Sequence, residues 1–68
     1  MDDVIFAQVL KLFESNGWVL QKSLGKNRIF IPKDGSEGLW SIPVNDKKVS
    51  ILYYRRIQEF FENETEDT

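Results

Sequence analysis

Trp18-Val19-Leu20-Gln21-Lys22-Ser23-Leu24-Gly25-Lys26-Asn27-Arg28-Ile29-Phe30-Ile31-Pro32 decides the fold. Two runs rich in β-branched and aromatic residues, 18–22 and 28–32, flank a turn at 24–27. That composition reads as two strands of a hairpin. Gly25 supplies the positive φ that such a turn needs. Pro32 cannot donate to a ladder, so it marks a strand end or an edge.

Downstream, Lys33-Asp34-Gly35-Ser36-Glu37-Gly38 is a turn segment. A third strand follows over 39–44, with Trp40, Ile42 and Val44 alternating onto one face and Ser41 pointing away. Residues 45–49 read as a polar loop. Ser50 is placed to cap a last helix over 51–63. Tyr53, Tyr54, Ile57, Phe60 and Phe61 give that helix an apolar side, with one tyrosine expected inside and one partly outside. Upstream, Ile5, Val9 and Leu12 recur at helical spacing, with Phe6, Leu10 and Phe13 beside them. The first helix is expected over 4–13, capped by Asp2 or Asp3 and stopped by Asn16-Gly17.

The order is α-β-β-β-α, an α+β fold. The economical packing lays both helices on one face of a three-stranded antiparallel sheet. Phe30 and Leu20 are expected on the opposite, open face. Trp18 is expected beneath the first helix and Trp40 in the core. Residues 1–63 form a single domain and residues 64–68 a disordered acidic tail. A 68-residue chain supports a net stability of roughly 3–5 kcal/mol. Function must therefore lie on the surface of one small unit.

Composition narrows the chemistry. The chain has no cysteine and no histidine. There is no thiol nucleophile, no imidazole base and no Cys- or His-ligated metal. No cofactor is called for, since phosphate-loop and dinucleotide glycine patterns are absent. Asp34 and Glu37 sit in a glycine-rich turn with no pocket to raise either pKa. The acidic start, Met1-Asp2-Asp3, does not read as a secretory signal. No apolar run is long enough to span a membrane. A cytoplasmic location is the expectation.

The net charge is −2, but its distribution matters more than its sum. Residues 4–58 hold nine basic side chains against Glu14, Asp34, Glu37 and Asp46, a net of +5. The other acids crowd the two ends. In a meander, the end of the first strand, the start of the second and the end of the third meet at one rim. That rim collects Lys22, Lys26, Asn27, Arg28, Asn45, Lys47 and Lys48, with Asp46 the one acid. A concentrated basic patch attracts phosphates through counterion release.

Five segments occur in order: Asn16-Gly17-Trp18-Val19-Leu20, Gly25-x-x-Arg28-Ile29-Phe30, Pro32-x-x-Gly35, Ile42-Pro43-Val44-Asn45 and Arg55-Arg56-Ile57. Together they resemble the HicA (YcfA-like) toxin family over about residues 9–58. The resemblance implies a fold like that of double-stranded-RNA-binding domains. It implies an mRNA interferase held inactive by a HicB-type antitoxin. It also implies a catalytic histidine at the position occupied here by Asn27. A second family histidine falls on Asn45. Acid–base help of this kind contributes about 10²–10⁴-fold, and an amide does not supply it. The resemblance therefore implies an RNA-binding domain without ribonuclease activity, with Lys22, Lys26, Asn27, Arg28, Asn45, Lys47 and Lys48 as its contacts. Two alternatives stand beside it. One is a protein-interaction module that binds a HicB-like antitoxin or another partner. The other is a ribonuclease working through Lys26, Asn27 and Arg28.

Overall fold

The central hairpin forms where its residues place it. The computed structural model describes residues 2–65. Its elements are β1 (Asp3–Ile5), α1 (Phe6–Ser15), β2 (Trp18–Leu24), β3 (Asn27–Pro32), β4 (Trp40–Pro43), β5 (Lys48–Ser50) and α2 (Ile51–Thr65). Strands β2, β3 and β4 form an antiparallel sheet in that order, and β1 pairs with β5 as a separate two-stranded ribbon. Gly25 takes φ 60° in the β2–β3 turn and Gly17 takes φ 82° after α1. The Gly17 N–H donates to the Glu14 carbonyl, which closes the last turn of that helix.

Both helices cover one face of the three-stranded sheet. Cross-strand partners share a face. The pairs Trp18↔Pro32, Leu20↔Phe30, Phe30↔Trp40 and Arg28↔Ile42 therefore point toward the helices. Phe13 of α1 stacks on Phe30 with ring centroids 4.1 Å apart. Phe60 and Phe61 of α2 meet Trp18 edge-on at 5.8 and 5.9 Å. Such aromatic pairs contribute about 0.5–1.5 kcal/mol each beyond the area they bury. Val9, Phe13, Phe30, Ile42 and Ile57 are fully buried around this cluster. Trp40 is half-buried, with Phe13 and Phe60 as its ring neighbours.

Four expectations are corrected. Phe30 does not lie on the open face. It is 0% exposed and central to the core, while Leu20 shares its face at the margin and is 38% exposed. The cause is β3's middle position: with a strand on each side, Phe30 sits directly beneath α1. Asp2 and Asp3 do not cap α1. Asp3 belongs to β1, and Ile5 is the N-cap with no side-chain bond. Residues 45–49 are not simply a loop. Asn45 and Lys48 exchange two backbone hydrogen bonds across a two-residue turn, Asp46-Lys47, and β5 starts at Lys48. Tyr53 and Tyr54 do not divide between inside and outside, since both are half-buried.

The Ser50 cap forms, its Oγ accepting the Leu52 N–H at 3.3 Å. Helix α2 runs on to Thr65. Of the tail expected over 64–68, residues 66–68 lie outside the described residues. The open face of the sheet carries Val19, Lys22, Leu24, Asn27, Ile29, Ile31, Ser41 and Pro43. Ile29 is buried there without joining the main core.

Candidate functional site

The basic rim assembles from three chain segments. The register Leu24↔Asn27 and Asn27↔Pro43 brings the β2–β3 turn beside the end of β4. The Val44 N–H donates to the Lys26 carbonyl at 2.8 Å, tying the two together. The Asp46-Lys47 turn projects from the same end. Both of its residues adopt positive φ, 54° and 63°. A two-residue hairpin with both central residues left-handed is a type I′ turn, normally filled by Asn-Gly or Asp-Gly. Aspartate tolerates that conformation and lysine does so less readily. The Lys47 carbonyl accepts the Phe6 N–H at 2.9 Å, so backbone substitutes for the missing side-chain cap of α1.

Two hollows lie at this end. One, of about 420 Å³, is lined by Asp3, Lys26, Pro43, Val44, Asn45, Lys48 and Ser50. The other, of about 560 Å³, is lined by Ile5, Phe6, Ala7, Leu10, Val44, Arg28, Asp46 and Lys47. The expected residues thus divide. Lys26, Asn45 and Lys48 share the first hollow, and Arg28 and Lys47 share the second. Asn27 is exposed at the start of β3.

Lys22 stands apart. One extra residue in β2, Gln21, shifts the register between Leu20 and Lys22. This bulge turns Lys22 onto the open sheet face opposite Ile29. The rim also gains an acid that the linear sequence hides, because β1 carries Asp3 into it opposite Ser50. Arg28 is half-buried and partly committed to structure. Its Nη1 donates to the Gly25 carbonyl at 3.0 Å and lies 3.5 Å from the Asn27 carbonyl.

The opposite end is chemically different. Asn16, Gly17, Trp18, Pro32, Lys33, Asp34 and Ser36 line a hollow there. Asp34 Oδ1 accepts the Ser36 hydroxyl at 2.7 Å and the Ser36 N–H at 2.9 Å. These two bonds, the hydroxyl first, hold the exposed Asp34 carboxyl below the usual aspartate value. Asp34 thereby shapes the turn.

Among the described residues no polar or charged side chain is buried. Among the described residues no group of three or more acids lies together that could hold a metal ion. No helix among the described residues is long and apolar enough to cross a membrane. The sequence reading missed Asp3, Ile5 and Ala7 as site-lining residues. The available signal was Asn45-Asp46, a pair that favours left-handed turns and so announces the hairpin that recruits β1. No protein family, curated protein or solved structure matches the chain.

Proposed function

We propose that this protein is a small RNA-binding domain, HicA-like in its segment pattern and without ribonuclease activity. The observation that carries the reading is the gathering of Lys26, Arg28, Lys47 and Lys48 at one end of the sheet, around two hollows. Asp3 and Asp46 are the acids among them, so the basic side chains outnumber the acids two to one. Backbone bonds fix the two turns that bear Lys26 and Lys47. A lysine-rich rim on fixed turns suits RNA, whose A-form helix is bound largely through phosphates and 2′-hydroxyls. Asn27 and Asn45 add short polar side chains suited to such hydroxyls.

The withdrawal of catalysis rests on Asn27 and on exposure. No buried cleft desolvates a base at this end, and no side chain present titrates as imidazole does. The test is a titration of a short RNA hairpin at two salt concentrations. Binding should weaken steeply with salt. The triple variant Lys26→Ala, Lys47→Ala, Lys48→Ala should bind at least tenfold more weakly at low salt. The hairpin should emerge intact. Equal binding by the triple variant would end the reading of the rim, and cleaved hairpin would end the claim of inactivity.

A further inference from the structure

The larger hollow at the basic end is unlike the rest of the rim. Its walls are Ile5, Phe6, Ala7 and Leu10 from β1 and the first turns of α1, with Val44 opposite. Ile5 is 55% exposed there, an apolar side chain with little cover. The polar groups stand only at the edge, as Arg28, Asp46 and Lys47. A groove of about 560 Å³ falls within the range of ligand-binding pockets.

We infer that this groove docks an acidic peptide segment of a partner protein, an apolar anchor entering the groove and flanking carboxylates meeting Arg28 and Lys47. Charge complementarity selects the occupant. Two cations face one anion at the edge, so a segment bearing carboxylates is attracted and a basic one is not. The two hydrogen bonds of Arg28 both leave from Nη1. Its remaining N–H groups make no hydrogen bond among the described residues, and a guanidinium so held is pre-oriented for a carboxylate. The turn that bears Lys47 is fixed at its backbone, where the Lys47 carbonyl accepts the Phe6 N–H.

The lining argues against a nucleobase as the occupant. A base is read by hydrogen bonds to its edges, and the floor of the groove offers none from side chains. An aliphatic or aromatic peptide side chain needs only apolar area and shape. The inference goes beyond RNA binding and does not depend on it. Where both ligands bind, they compete, since Arg28 and Lys47 serve each.

The test uses the full chain and a short fluorescein-labelled peptide in which two leucines are flanked by glutamates. Two control peptides replace the leucines by serine or the glutamates by glutamine. Anisotropy should show saturable binding of the first peptide and at least tenfold weaker binding of each control. Ala7→Glu places a carboxylate in the groove at an exposed first-turn position, where an acid suits the helix. It should weaken peptide binding at least tenfold with an unchanged circular dichroism spectrum. Arg28→Gln should weaken it as well. Absence of saturable peptide binding overturns the inference. So does binding indifferent to Ala7→Glu or to the leucines. Loss of hairpin binding in Ala7→Glu, without any peptide binding by the unsubstituted chain, would assign the groove to an RNA base instead. Peptide binding without any hairpin binding would support the groove while ending the RNA reading.

Discussion

Replacing Lys47 by glycine should stabilise the domain while weakening the RNA binding proposed for it. Lys47 holds φ 63° in a turn whose two central residues are both left-handed. That conformation costs an L-residue roughly 1–2 kcal/mol. Glycine removes the cost but adds about 0.5–1 kcal/mol of conformational entropy to be lost on folding. Taken at their midpoints, the two terms leave a net gain of about 0.8 kcal/mol. For a domain of this size that raises Tm by about 2–8 °C. Lys47→Ala is the internal control: it removes the charge and keeps the Cβ, so no such gain is expected. Thermal unfolding of the three proteins reads the first effect. The hairpin titration at low salt reads the second, and both variants should lose affinity equally there. A Tm for Lys47→Gly at or below that of the unsubstituted protein would refute the reasoning. It would mean that the turn is not held left-handed in solution, or that the Lys47 side chain contributes to the fold. The two readouts move in opposite directions, so a merely unfolded variant cannot imitate the expected result.

Other outcomes follow from the packing. Phe30→Ala removes the ring stacked on Phe13 and should cost about 3–5 kcal/mol, enough to unfold the domain, whereas Leu20→Ala on the margin should leave a cooperative transition. Circular dichroism during urea unfolding checks both. Gly38→Ala should destabilise by about 1–3 kcal/mol, because its Cβ would stand 2.9 Å from the Trp18 ring at φ 148°; an unchanged urea midpoint would contradict this. The Asp34 carboxyl, held low by Ser36, should titrate below an ordinary aspartate by NMR. A depressed folded pKa contributes stability above the unfolded value and loses it as pH falls through the folded one. Ser36→Ala should therefore raise the Asp34 pKa and flatten the acid side of the stability profile.

Much of the fold was legible because the decisive segments are long or sharply punctuated. The 18–32 hairpin announces itself through β-rich runs around Gly25, and Ser50 caps α2 as its position before the apolar helix implies. Two features were hidden by length and one by topology. Strands of three residues, β1 and β5, are too short to show alternation. Their pairing depends on where residues 45–48 point the chain, which local propensity does not encode. The shared face of Leu20 and Phe30 is not readable locally, because apolar residues line both sides of β2 and β3, and neither is the difference in their depth. Only the order β2-β3-β4 places one at an edge and the other at the centre. The site followed the same rule. Lys26, Asn27, Arg28, Asn45, Lys47 and Lys48 lie at turns or strand ends that the meander fixes. Lys22 went elsewhere because a single bulge reverses the facing of every later residue in β2.

The molecule divides its work between two ends. Phe13, Trp18, Phe60 and Phe61 interlock where α1 ends and β2 begins. The basic end holds its shape instead through backbone bonds: Val44 to Lys26, Phe6 to Lys47, and Asn45 with Lys48. Backbone bonds leave side chains at those positions free to change without emptying the core. Asn27 is such a position, exposed and clear of the aromatic cluster. The side chain at residue 27 is therefore exchangeable at little cost in stability. The price appears in Lys47, a lysine kept in a backbone conformation better suited to glycine. A lysine at that turn is less favourable for folding than a glycine. That is the pattern expected where strain is tolerated for the sake of a surface.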